Sequence, residues 1–167
     1  MTTWFARVGL PLSPSESAAI GELMRIVAPR VPIDIRALAT WQEVAAFVRV
    51  AEHDATWWDD EEEERELLWT RACENRSEAE LLQRVNAMTH GLERTLRDAA
   101  SAAVKRAGVA DPTIAVEATG SALLAAHQNA LAGVAGEGMD HRFVRKYRLF
   151  TSGRWPLGYH SARFVIF

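Results

Sequence analysis

A single cysteine, Cys73, in a chain of 167 residues leaves no partner for an internal disulfide and no basis for a cysteine-built zinc knuckle. Lysine is nearly as scarce. Only Lys105 and Lys146 occur among 19 basic residues, so positive charge is carried by arginine, a usage that points to a GC-rich bacterial genome. No apolar run reaches the roughly 18 residues that a membrane-spanning helix needs. The opening "MTTWFARVGLPLS" lacks the basic-then-apolar order of a secretory signal, so a cytoplasmic protein is expected. Also absent are G-x-x-x-x-G-K-[ST], G-x-G-x-x-G and G-x-S-x-G, which removes support for phosphate cradles and hydrolase elbows. A net charge of -3 gives no global attraction to nucleic acid or to an anionic membrane.

What is present is enough apolar material for one core. With 49% hydrophobic and 25% charged residues, the chain is expected to form a single domain over 1–167 that buries about two-thirds of its unfolded surface. "TWFARVGL", residues 3–10, has no helical period and stops at a proline, which predicts a short strand. Ser13, Pro14 and Glu16 then form a complete capping signal for a helix to about Ala28. Prolines 29 and 32 make the next stretch a linker. Thr40 and Glu43 repeat the capping logic for a helix whose Trp41, Val44, Val48 and Ala51 share a face. Asp59 and Glu62 have the same spacing, placing Asp60 to Glu63 in a first helical turn, with Leu68, Trp69, Ala72 and Cys73 continuing the apolar side. From the cap at Ser77, Leu81, Val85, Met88, Leu92, Leu96, Ala99 and Ala103 keep one stripe in a long helix closed by Gly108.

Asp111 and Pro112 open a helix rich in Ala, Gly and Ser, expected to run through the middle of the bundle. Phe143, Tyr147 and Phe150 predict a short amphipathic helix, and "RWPLGYHSARFVIF" two extended pieces around a turn. The expectation is a mainly α fold of five or six helices, with a helical bundle over 14–134, a basic aromatic helix and C-terminal hairpin over 140–167, and a small sheet formed by the two chain ends.

The stretch "WWDDEEEERELLW", residues 57–69, carries six acids in a row. Glu62 with Glu66, or Glu63 with Glu66 as an E-x-x-E pair, offers carboxylates for Mg or Mn if a second helix adds more. This arrangement resembles the all-helical nucleoside triphosphate pyrophosphatases of the MazG type, whose metal is held by E-x-x-E on one helix and E-x-x-D on the next. The resemblance implies a Mg- or Mn-dependent nucleotide pyrophosphohydrolase using Glu62, Glu63 and Glu66. Here the only E-x-x-D spacing, Glu137 with Asp140, lies about seventy residues on, in a Gly-containing loop. Adjacent carboxylates also repel one another, which favours a solvated helix start or a partner-binding surface, with no cofactor.

His127 falls among Val116, Gly120, Leu123, Leu131 and Val134, predicting a buried, hydrogen-bonded core histidine. His90 and His53 lie off the apolar faces of their helices. Neither H-x-x-x-H nor E-x-x-H occurs, so no metal site on histidines is expected. Cys73 has Glu66 and Glu74 around it in sequence, the wrong field for an activated thiolate.

Charge is unevenly laid out. Seven acids stand against Arg65 between Asp59 and Glu66, whereas after Asp140 the chain has Arg142, Arg145, Lys146, Arg148, Arg154 and Arg163 and no acid. The two regions either pair within the chain or serve separate partners. On the second view Asp59, Asp60, Glu62, Glu63 and Glu66 meet a basic protein. Arg142, Arg145, Lys146 and Arg148, with aromatic residues interleaved, offer a site for an anionic ligand or nucleic acid. The leading expectation is a non-enzymatic interaction protein of immunity or regulatory type, acting by occlusion through its acidic helix.

Overall fold

The computed structural model describes residues 3–30, 32–50, 55–160 and 162–167. In chain order its elements are α1 (Pro14–Val27), β1 (Ile35–Ala37), α2 (Trp41–Val50), α3 (Ala55–Cys73), α4 (Glu78–Thr89), α5 (Leu92–Arg106), α6 (Thr113–Val134), α7 (Arg142–Thr151), β2 (Pro156–His160) and β3 (Arg163–Ile166). The mainly α bundle with a small sheet is as expected. Helix starts follow local rules closely. Glu16 N–H donates to Ser13 Oγ at 3.3 Å while Ser13 N–H donates to the Glu16 carboxylate at 2.8 Å, and Ser77 with Glu80 repeats the box for α4. Thr40 caps α2 through Glu43 N–H, although the Glu43 carboxylate reaches back one residue further, to Ala39 N–H.

Three boundaries differ from the sequence expectation, each because tertiary packing outweighs a local signal. The long fourth helix is broken after His90, where Gly91 takes φ 73° and starts α5 afresh. The break lets α4 bury Leu81, Val85 and Thr89 and α5 bury Leu96, Ala100, Ala103 and Val104 as separate stripes, both against α6. Helix α3 begins before Asp59, so its first turn carries no acid and the acidic run occupies the following turns. Trp57, 4% exposed and edge-on to Phe164 at 6.1 Å, anchors that early start. Residues 4–10 form turns instead of a strand. The strand that pairs with the C-terminal hairpin is β1, from the proline-bounded linker. It runs parallel to β3 with Ile35 opposite Phe164, and β2 lies antiparallel on the other side in the order β1-β3-β2. Ala51 and His53 lie outside the described residues.

The N-terminal segment is not a strand because its carbonyls are taken by a side chain. Arg154, 1% exposed, donates to the carbonyls of Arg7 and Leu10 at 2.6 Å and of Pro11 at 2.8 Å, and to Glu16 at 2.8 and 3.1 Å. Every N–H of the guanidinium is thereby used. Next to it, Trp155 enters an aromatic cluster with Phe5, Trp41 and Phe167, ring centroids 5.0 to 6.3 Å apart. Helix α6 occupies the middle, packed against α3, α4, α5 and α7, and its buried alanines at 118, 122, 125, 126 and 130 allow close approach on several sides.

Arg154→Met keeps side-chain bulk but leaves Glu16 with Arg7 as its one cation and takes a donor from three carbonyls; a loss of about 3–5 kcal/mol in urea unfolding is expected. Arg154 and, behind it, the Ser13 groups hold the Glu16 carboxyl far below its ordinary value of 4.5, against the opposing effect of burial. A depressed carboxyl contributes stability that is complete above the unfolded value and is lost as pH falls below it. Glu16→Gln is therefore expected to be less stable than wild type at neutral pH, with the gap narrowing by about pH 3. A gap independent of pH would show that the charge of Glu16 does not matter.

Candidate functional site

On α3 the acids divide by helical position. Trp57, Glu61, Leu68 and Ala72 are buried and Glu64 is partly so, spacings of four, three, four and four that trace one inward stripe. Asp59, Glu62, Glu63, Glu66 and Leu67 are exposed on the opposite side, with Asp60 at the edge.

Glu61 is the acid that the sequence reading did not separate from its neighbours. It is 3% exposed and receives Lys146 Nζ on both carboxylate oxygens at 2.7 Å. The third ammonium proton goes to Gln128 Oε1 at 3.1 Å, and Gln128 Nε2 donates to Glu61 Oε2 at 3.2 Å. Three helices, α3, α6 and α7, thus meet in a closed polar ring. Burial pulls the Lys146 ammonium below its ordinary range, opposed by the charge of Glu61 and assisted by the positive charge of Arg142. With its protons all engaged, Lys146 is a structural cation and has none to offer an anion. The signal for Glu61 was its place four residues after Trp57 and seven before Leu68, on the apolar stripe.

A second contact joins the acidic and basic regions. Phe143 N–H donates to His141 Nδ1 at 3.2 Å, which leaves the proton on Nε2, aimed at Glu64 Oε1 3.0 Å away. Of the other residues expected to bind anions, Arg145 pairs with Glu22 and with Asp140, the latter at 2.6 Å. Arg142 lies over the rings of Trp57 and Phe143, at 5.6 and 5.9 Å, with one guanidinium nitrogen buried and without a hydrogen-bond partner among the described residues. Arg148 is exposed along a groove between α7 and α1 that Arg145 also lines. Helix α7 therefore turns Lys146 and Arg142 inward, onto Glu61 and the Trp57 and Phe143 rings, while Arg145 and Arg148 line one groove against α1, so the four cations do not form one patch.

The carboxylates considered for a metal are also dispersed. Glu62 forms an ion pair with Arg65 one turn on, which holds its carboxyl below the ordinary range, while Glu63 and Glu66 point outward. Glu137 pairs with Arg71, and Asp140 with Arg145. Among the described residues no group of three or more His, Cys, Asp or Glu is placed to hold a metal ion. His127 is half-buried, its Nε2 3.1 Å from Thr89 Oγ1; that hydroxyl donates to the Val85 carbonyl, so the imidazole N–H donates to Thr89. His90 is exposed at the end of α4, and Cys73 is half-buried beside the Leu68 and Leu81 cluster. Among the described residues no helix is long and apolar enough to cross a membrane. No protein-family model, curated protein or solved structure matches the chain.

Lys146→Met alone strands a buried carboxylate and is expected to cost about 3–5 kcal/mol, whereas Glu61→Leu with Lys146→Met recovers most of that loss. Chemical unfolding of both variants is the check. A double variant no more stable than the single one would mean that the ring contributes more than charge neutralisation.

Proposed function

We propose that the protein acts by binding and not by catalysis, presenting the outer face of α3 to a basic partner protein. The observation that carries this reading is the division of the acids. Glu61 is neutralised by Lys146 and Glu64 accepts a hydrogen bond from His141 within the chain, whereas Asp59, Asp60, Glu62, Glu63 and Glu66 remain on the solvent side against Arg65 alone. Asp59, Asp60 and Glu63 have no ion pair among the described residues. Such a face attracts a basic surface at long range and speeds its encounter, an effect that falls with salt. Leu67, 56% exposed between Glu66 and Leu68, supplies an apolar point within the charged field. Interfaces draw most of their affinity from such central apolar contacts and their specificity from the charges around them. A regulatory or immunity role follows naturally, in which the partner's basic working surface is covered.

Glu62→Gln, Glu63→Gln and Glu66→Gln combined should unfold within about 1 kcal/mol of wild type, because the three side chains are solvated. In affinity capture from source-cell extract, wild type is expected to retain a basic protein at low salt and release it by about 0.5 M salt. The triple variant should retain about tenfold less. Equal retention by both proteins would remove the acidic face from the interaction.

A further inference from the structure

Helix α6 is buried over most of its circumference, yet Val116, Gly120 and Leu124, spaced by four residues, share a side left open to solvent. Val116 is 70% exposed and Leu124 39%. Gly120 between them weakens the helix interior, and a Cβ built on it meets nothing within 4 Å, so the space above it is open. This side of α6 borders a cavity of about 340 Å³ that also reaches α7, β2 and the start of α3. Its floor is sealed, because Trp57, Phe150 and Trp155 are almost wholly buried, so an occupant would touch the rim residues Trp58, Val116, Leu124 and Leu157 instead. The hollow continues past Leu124. That residue also lines a second space of about 100 Å³, bordered by Trp69 of α3 and His127 of α6, so the two line up along α6 as one trough. Val116 to His127 spans about three helical turns, roughly 16 Å.

Contiguous exposed apolar side chains rimmed by polar ones mark interaction sites. The shape of this one selects a helix, which laid between α3 and α6 would set an apolar residue into the trough at each turn. Strand addition at β2 is disfavoured, since Pro156 has no N–H to offer and the pairing with β3 is irregular between Pro156 and Gly158. Charge on the rims selects the sign. Glu117 on the α6 side and Asp59, next to Trp58, have no ion pair among the described residues. Glu62 and Glu66 follow Trp58 at successive intervals of four along α3, with Arg65 the one cation beside them. Lys146, on the floor, is already neutralised by Glu61.

We infer that this trough docks an amphipathic helix of a partner protein, with its apolar stripe on Trp58, Val116 and Leu124 and its flanks rich in Lys and Arg. The inference rests on the reading of α3 as a partner-binding helix and names what the partner presents to it.

The probe is a fluorescein-labelled peptide of about 15 residues, built of leucine and lysine so that the leucines form one helical stripe. A scrambled isomer has the same charge without the stripe, and a leucine and glutamate peptide has the stripe with the opposite charge. Fluorescence anisotropy is expected to show saturable binding of one probe per chain, about tenfold tighter than either control. Val116→Gln with Leu124→Gln should weaken the probe about tenfold while the melting midpoint stays close to wild type, because both side chains are exposed. Val116→Gln alone should give a smaller loss, which keeps the test if the double variant folds poorly. Absence of saturable binding to wild type, or unchanged binding in both of these variants, overturns the trough and leaves the outer face of α3 to its own capture experiment. A loss in them without any loss in Glu62→Gln, Glu63→Gln and Glu66→Gln combined upholds the trough and removes the outer face. Equal binding of the scrambled isomer overturns the helical occupant, and equal binding of the glutamate peptide overturns its basic character.

Discussion

A guanidinium shut away from water must find all its acceptors inside the protein, and Arg154 does so by collecting three carbonyls and one carboxylate. Much of the fold follows from that demand. The carbonyls of Arg7, Leu10 and Pro11 must face inward, so their segment coils around the side chain and cannot join a sheet ladder. Glu16 must serve as counter-ion and as the reciprocal half of the Ser13 cap, which fixes the start of α1 against the C-terminal hairpin. Gly153, at φ 97°, makes the approach possible, since a Cβ there would stand 2.8 Å from the Thr3 carbonyl. With the chain ends joined in this way, Trp155 and Phe167 pair through their backbones and close the aromatic cluster.

The Glu61, Lys146 and Gln128 ring is a second solution to the same problem. Buried ion pairs add little net stability over apolar residues of the same shape, because desolvation offsets their attraction. Their effect on α3 is rotational. Turning the helix by one residue, or 100°, would carry Trp57, Leu68 and Ala72 off the core and take Glu61 out of register with Lys146 and Gln128. An acidic helix, whose charged residues alone give it no preferred buried side, acquires one through Trp57, Leu68 and Ala72 together with this pair.

These two rings mark the limit of what the sequence discloses. Capping boxes at Ser13 and Ser77, the alanine-rich central helix, the amphipathic α7 and the buried "RFVIF" strand were legible because each rests on residues near one another in the chain. Glu61 carried a periodic signal, four residues from Trp57 and seven from Leu68, but five acidic neighbours concealed it. Arg154 carried none. Its partners are about 140 residues away, and no local pattern distinguishes a buried arginine from an exposed one. The missed strand at residues 3–10 follows from that contact, whereas β1 is gained through its own pairing with β3. The break at Gly91 was visible as a glycine, but an unbroken apolar stripe on both sides outweighed it.

Rotation of α3 also sets what its first turns expose. Trp57 goes inward, Trp58, 40% exposed, borders the cavity, and Asp59 begins the outer acidic face, so three consecutive residues serve three environments. Lys146 connects them: its ammonium binds Glu61, lies 5.9 Å from the Trp58 ring and lines the cavity. Both buried cations are matched by a buried carboxylate, Lys146 by Glu61 and Arg154 by Glu16, so the described interior is electrically balanced. Apart from Glu64, which is held by the His141 hydrogen bond, the charge left over on α3 is therefore on its outer side. That imbalance, held in place by a neutral core, makes the outer face the natural place to look for a basic partner.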